Sequence, residues 1–189
     1  RDPLDFAFFT RMLYSCLVDA DFIDTETFMN GQAAPRGNST ALSSLLEKVR
    51  TKAAGYLAAQ STLPVSSQRN AVLQACMEKG AHGAPGLYTL TVPTGGGKTF
   101  ASLAFALEQA AAQGMKRVIY VIPYMSIIDQ TAAVFADLLG AENVLADYSC
   151  ADYKSLEQEK LTPAQYRQLL ASENWDAPVV VTTAVQFFE

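Results

Sequence analysis

Leu87–Phe100 reads LYTLTVPTGGGKTF, and the rest of the chain is organised around it. Leu87–Val92 concentrates apolar and β-branched residues, the pattern of a short buried strand. Pro93, Thr94, Gly95, Gly96 and Gly97 break that run, and Lys98-Thr99 open a stretch rich in alanine and leucine, Ala101–Ala112, with the composition of a helix. Strand, glycine loop, Lys-Thr and helix in that order specify a phosphate-binding loop. Glycines let backbone N–H groups turn inward around an anion, and the helix N-terminus adds unpaired donors and the positive end of its dipole. In such a loop Lys98 reaches the β- and γ-phosphates and the Thr99 hydroxyl ligates magnesium. The strict pattern wants glycine where Val92 stands; Pro93-Thr94 and three glycines keep the rest of it.

Downstream, Gly114 supplies a stop for the helix that the loop opens. Arg117–Ile122, RVIYVI, is an uninterrupted apolar run, as in a strand covered on both faces. Pro123-Tyr124 end it, and Ser126 can cap a helix running to Leu139, with Gly140 as its stop. Asn143–Ala146 reads as a short third strand and Tyr148–Glu159 as a polar loop with a single helical turn. Thr162-Pro163 start a helix to Ser172, and Pro178–Thr183 is a fourth strand leading into a helical turn at Ala184–Glu189. Buried strands alternating with helices predict a parallel, doubly wound α/β sheet. Ligands of such sheets sit at the carboxyl ends of the strands, which places Gly95–Thr99, Pro123–Ser126 and Thr182-Thr183 along one rim. A hydroxyl-bearing turn at a helix start clamps phosphate, although a capping Ser126 and paired strand threonines are also ordinary structure.

Upstream, Asp5–Val18 carries Phe6, Phe9, Leu13 and Leu17 at the spacing of one helical face. It runs into Asp19, Asp21, Asp24 and Glu26, four carboxylates within eight residues that repel one another. They form either a solvated helix end or the inward-facing part of a metal site with partners elsewhere. Thr27–Ser39, with Gly31, Pro35 and Gly37, reads as a linker. Ser39-Thr40 can cap a helix over Ala41–Ala59, and Ser66 or Ser67 can start another over Gln68–Lys79, followed by a loop at Gly80–Gly86.

Half of the 189 residues are hydrophobic, enough for one sizeable core and a smaller second unit. The net charge of −5 argues against a surface that coats nucleic acid non-specifically, but not against a motor gripping phosphates through amides and hydroxyls. Cys16, Cys76 and Cys150 are scattered, as expected of a reducing cytoplasm. His82 is the single histidine, so no histidine-built metal site is complete within the chain. No apolar run is long enough for a membrane span. The start at Arg1 and the end just after an apolar strand suggest a piece of a longer polypeptide.

TVPTGGGKT, then VIYVIPYMSIIDQT, then APVVVTTAVQFFE resemble the first motor domain of superfamily-two helicases through motifs I, Ia and Ic. More closely, PTGGGKTFASLAFAL, IPYMSIIDQTAAVF and VVVTTAVQFFE are similar to the CRISPR-associated helicase–nucleases of type I systems. RMLYSCLVDADFIDTE is similar to the last motif of that family's HD nuclease domain. The resemblance divides the chain into residues 1–26, the end of the HD domain; 27–63, linker and helix; and 64–189, the first RecA-like domain, truncated before its Asp-Glu motif. It implies ATP-driven translocation on single-stranded DNA opened by a crRNA-guided surveillance complex, with ATP, Mg2+ and a divalent transition metal for the nuclease. By position, it implies that Pro93, Thr94, Gly95, Gly96, Gly97, Lys98 and Thr99 hold the triphosphate and magnesium. Gln68 would read adenine, with Arg69 competing for that role. Pro123, Tyr124, Ser126, Gln130, Thr182 and Thr183 would hold DNA. Asp21 matches the final aspartate of the HD site, with Asp19 as runner-up. The Asp-Glu motif, the second motor domain and the earlier nuclease ligands are missing, so the fragment by itself is expected to be inactive.

A generic superfamily-two motor of restriction or repair accounts for the helicase motifs but leaves the LVDAD segment unexplained. A non-helicase P-loop enzyme accounts only for Gly95–Thr99, and a nucleotide-independent scaffold treats the loop as a relic. Magnesium-dependent ATP affinity separates that last reading from the others.

Overall fold

The computed structural model describes residues 3–31, 40–59, 63–148, 162, 165, 169, 171–172 and 174–188. Most of the expected linker, most of the loop after Tyr148, much of the helix expected at 162–172, Ser39 and Cys150 lie outside the described residues. The chain divides into two compact units, Arg1–Arg36 and Gly37–Glu189.

The first unit contains helix α1, Pro3–Asn30. It runs into the stretch expected to be linker: the Thr27 hydroxyl donates back to the Ile23 carbonyl at 2.7 Å, and Gly31, at φ 70°, follows its last turn. Phe8, Met12 and Phe22 are exposed along with Phe6, Phe9, Leu13 and Leu17, so α1 is apolar around its girth rather than along one stripe.

In the second unit, helices α2 (Leu42–Ala58), α3 (Pro64–His82) and α4 (Lys98–Ala112) precede strand β1 (Val118–Ile122). Helix α5 (Met125–Leu139), a 3-10 turn (Ala141–Asn143), strands β2 (Val144–Asp147) and β3 (Val179–Thr183) and helix α6 (Ala184–Phe188) follow. The sheet is parallel, in the order β1-β3-β2, with Val180 paired to Ile119 and Leu145. Val179, Val180 and Val181 have no exposed surface, as the all-apolar run anticipates for a central strand. Helices α4 and α5 cover one face of β1, where Tyr120 packs edge-on against Phe135 of α5 and hydrogen-bonds Ser102 of α4 at 2.7 Å. On its other face Ile119 and Val121 are exposed, so β1, an edge strand of the described sheet, is not covered on both faces as its apolar run predicts. This is the expected α/β class.

Gly114 (φ 65°) ends α4 in a Schellman motif, with the Met115 N–H on the Ala110 carbonyl at 2.8 Å and the Gly114 N–H on that of Ala111 at 3.4 Å. Helices α3 and α4 touch closely at Gly80, where an added Cβ would lie 2.7 Å from the Phe105 carbonyl oxygen. Helix α2 is tied to α4 by Arg50, which grips both oxygens of the buried Glu108 carboxylate at 2.9 and 2.7 Å. That hydrogen-bonded pair holds the guanidinium pKa above its ordinary value.

Four local expectations are corrected. Helix α3 starts at Pro64 rather than Ser66 or Ser67, because proline suits the first helical position, where no N–H is needed. Helix α5 starts at Met125, leaving Ser126 inside the first turn instead of at the cap; likewise Ala41, not Ser39-Thr40, precedes α2. Most consequentially, Leu87–Val92 joins no ladder among the described residues, and Leu87 is 96% exposed. Its alternation gives it strand propensity, but a strand forms only where a neighbour accepts its N–H and C=O groups.

Candidate nucleotide-binding site

The loop is a tight turn followed by a helix start. The Gly96 N–H donates to the Pro93 carbonyl at 3.0 Å, and Gly95 and Gly97 both take φ 81°, where a side chain would be strained. Gly97 is the N-cap of α4 and gives it no side-chain cap, so the first N–H groups of α4 point toward whatever lies at the loop. Gly96 has its own reason to be glycine: a Cβ there would overlap the Val92 side chain. Valine at the position where the strict pattern wants glycine is thus accommodated by the glycine four residues later.

Two cationic side chains brace the loop. Lys98 Nζ donates to the Val92 carbonyl at 2.7 Å, joining the loop's two ends, and Arg69 Nε reaches from α3 to the Gly95 carbonyl at 2.6 Å. Lys98 and Thr99 line a cavity of about 700 Å³ with Tyr56, Arg69, Asn70, Leu73, Phe100, Ile127 and Gln130. Across Arg69, a second cavity of about 580 Å³ is lined by Gln68, Val72 and Thr91–Gly96. Gln68 and Arg69 therefore face different surroundings: Gln68 lines the smaller space only, whereas Arg69 borders both and touches the loop. Gln130, expected on the rim with Ser126, shares the larger cavity with Lys98 and Thr99. The donor set of lysine, hydroxyl and helix N–H groups fits a polyphosphate, and the Thr99 hydroxyl suits its magnesium ion.

The other rim segments sit together because β1 and β3 are paired in register, Ile122 with Thr183. Pro123-Tyr124 and the turn into α6 consequently leave the same edge of the sheet, and Tyr124 is 66% exposed. The two threonines differ. Thr183 is half-buried and its Oγ1 accepts the Gln186 N–H at 3.0 Å, so it opens α6. Thr182 has no exposed surface, and its hydroxyl has no hydrogen-bond partner among the described residues. Nothing in the sequence distinguishes the pair; burial does.

Trp175 lies just ahead of β3 in the left-handed region, φ 52°, which costs a residue with a Cβ about 1–2 kcal/mol. Its indole donates to the buried Asp147 carboxylate at 2.6 Å and stacks on Phe187 of α6 at 6.1 Å. Sequence reasoning missed this link between the ends of β2 and β3, since no periodicity marks it. In the first unit Asp21 is exposed and Asp19 half-buried, and among the described residues no three His, Cys, Asp or Glu side chains cluster to hold a metal ion.

A family model described as type III restriction enzyme, res subunit, matches residues 61–189. The chain is also similar to the CRISPR-associated nuclease/helicase Cas3 of Haloferax volcanii, 32% identical over 122 residues, which covers 56% of this chain and 13% of that relative. The chain thus spans a small part of the curated relative that it matches.

Proposed function

Because the chain belongs to the family described as type III restriction enzyme, res subunit, we propose that it is the nucleotide-binding part of a superfamily-two motor that moves along single-stranded DNA. The observation that carries this reading is the loop itself, with left-handed Gly95 and Gly97 leading into an uncapped helix that begins Lys98-Thr99. Gly95, Gly96, Gly97 and Lys98 would hold the triphosphate of ATP, and Thr99 its magnesium; hydrolysis of that nucleotide supplies the work. Pro123, Tyr124, Ser126 and Thr183 would meet the DNA backbone on the rim. Thr182 would support that turn from within the sheet, and Gln130 would stand between the two ligands.

The similarity to a nuclease/helicase extends the proposal to the longer protein of which this chain would be part. There, Asp21, with Asp19 as the lesser candidate, would complete a divalent-metal nuclease site built from residues outside this chain, acting on DNA opened by a crRNA-guided complex. The family description, a restriction-enzyme subunit, favours a second reading as a restriction motor without that nuclease. Asp21→Asn in the longer protein separates them. The first reading expects metal-dependent cleavage of single-stranded DNA to be lost while ATP hydrolysis continues; unchanged cleavage leaves the restriction motor. Lys98→Ala tests the premise of both, since DNA-stimulated ATP hydrolysis that survives it rules out a motor driven from this loop.

A further inference from the structure

We propose that Arg69 is a positioning residue of the phosphate loop, fixing one peptide unit from outside so that the loop offers only donors to a polyphosphate. The unit is Gly95–Gly96. Its carbonyl accepts from Arg69 Nε at 2.6 Å, and its N–H donates to the Pro93 carbonyl at 3.0 Å, so both of its polar ends are spoken for. Both residues of this peptide are glycines, Gly95 at φ 81°, so neither has a Cβ to resist its rotation. Flipped, it would lose both hydrogen bonds and set its carbonyl oxygen against the Pro93 carbonyl, opening the turn from which the loop's other N–H groups are presented. A hydrogen bond from a permanently charged donor opposes that flip more strongly than a neutral one does.

The brace has a firm foundation. Arg69 projects from α3, and α3 is packed on α4 so closely at Gly80 that no side chain would fit between them. The Gln109 amide of α4 also donates to the Gly83 carbonyl just past α3, at 3.1 Å. The helix that carries the arginine and the helix that starts in the loop are therefore held together, and the loop is spanned between them. The arginine stem lies along the loop as well: the positions that Cβ atoms would take at Gly95 and Gly97 are 3.7–3.9 Å from Arg69 atoms. With Nε committed to the loop, Arg69 acts on the phosphates through backbone geometry and has no part in choosing the base.

This inference rests on the nucleotide reading of the loop, and the test keeps the two apart. Binding of ATP, GTP and inorganic tripolyphosphate, each with magnesium, is measured on the 189-residue chain and on Arg69→Ala, Arg69→Lys and Gln68→Ala. Arg69→Ala should weaken all three by a common factor, about tenfold, with the ATP-to-GTP preference unchanged; Arg69→Lys, which keeps a charged donor, should recover part of the loss. Hydrogen exchange without any ligand provides a second readout: the Gly96 amide should exchange faster in Arg69→Ala and remain unchanged in Gln68→Ala. A loss for ATP that spares tripolyphosphate would make Arg69 a base reader and overturn the proposal, as would an unaltered Gly96 amide. If the unsubstituted chain binds none of the three while Gly96 exchange responds as expected, the nucleotide reading fails and the brace itself stands.

Discussion

Leu87–Val92 and Val179–Thr183 are both rich in β-branched residues and both lead into a turn of the site, yet they are held in opposite ways. Val179–Thr183 has a parallel neighbour on each edge and side chains packed on both faces, so the backbone and the core fix it. Leu87–Val92 lies outside every described ladder and is held by side chains: Tyr88 hydroxyl on the Ala84 carbonyl, Tyr88 ring against Phe105 at 5.1 Å, and Lys98 on the Val92 carbonyl. One end of the rim is consequently a property of the fold, and the other a property of a few individual residues. Substitutions should separate stability from binding accordingly.

The largest expected difference lies in folding. Leu145→Ala, which empties a fully buried site beside Val180, should cost about 2–5 kcal/mol. Leu87→Ala, at a position that is 96% exposed, should stay within about 0.5 kcal/mol. Urea midpoints measure both, and equal losses would mean that Leu87–Val92 is packed like a strand after all. Next comes binding: Lys98→Ala should weaken magnesium-ATP by about 1.5–3 kcal/mol while leaving the urea midpoint of the chain nearly unchanged, a separation that titration calorimetry reads directly.

Smaller effects sharpen the comparison from inside β3. Thr182→Val keeps the branched shape and removes a buried hydroxyl that has no partner among the described residues, so stability should rise by about 1 kcal/mol. A fall would show that the hydroxyl is satisfied. The mildest effect concerns pH. Burial raises the Cys76 thiol above its ordinary value of 9.0, since the folded chain disfavours the thiolate. The stabilisation from this group is complete below pH 9 and declines as the pH climbs through the higher folded value, because the unfolded chain releases that proton first. Cys76→Ala should flatten that alkaline slope in denaturation curves recorded across pH 8–11, and exposed Cys16 should react with thiol reagents well before Cys76.

Features written in one short stretch of sequence were legible. The helix stops at Gly114 and Gly140, the loop's glycines and the positions of β1 and β3 along the chain appear as expected, since each depends on neighbours a few residues away. The open face of β1, with Ile119 and Val121 exposed, was not legible there. Four outcomes needed the third dimension. Whether Leu87–Val92 is a strand depends on a partner, not on its pattern. The pairing of Val92 with Gly96 is a contact within one turn, and the branched residue looked like a departure until its counterpart was seen. Gln68 and Arg69 are neighbours in sequence and share the smaller cavity, but helix rotation lets only Arg69 border the larger cavity and touch the loop. Thr182 and Thr183 differ only because alternate strand residues face opposite ways.

Trp175 gives the chain an optical property. It is the single tryptophan of the sequence, so all indole emission comes from one place. That place is stacked on Phe187, four residues past Thr183, and tethered through its ring nitrogen to Asp147 at the end of β2. An indole next to a carboxylate and an aromatic face changes colour and brightness when either moves, so the molecule already contains a dye at the exit of its central strand. A ligand settling on the α6 turn should announce itself in that emission, and one confined to the glycine loop should leave it dark to the event.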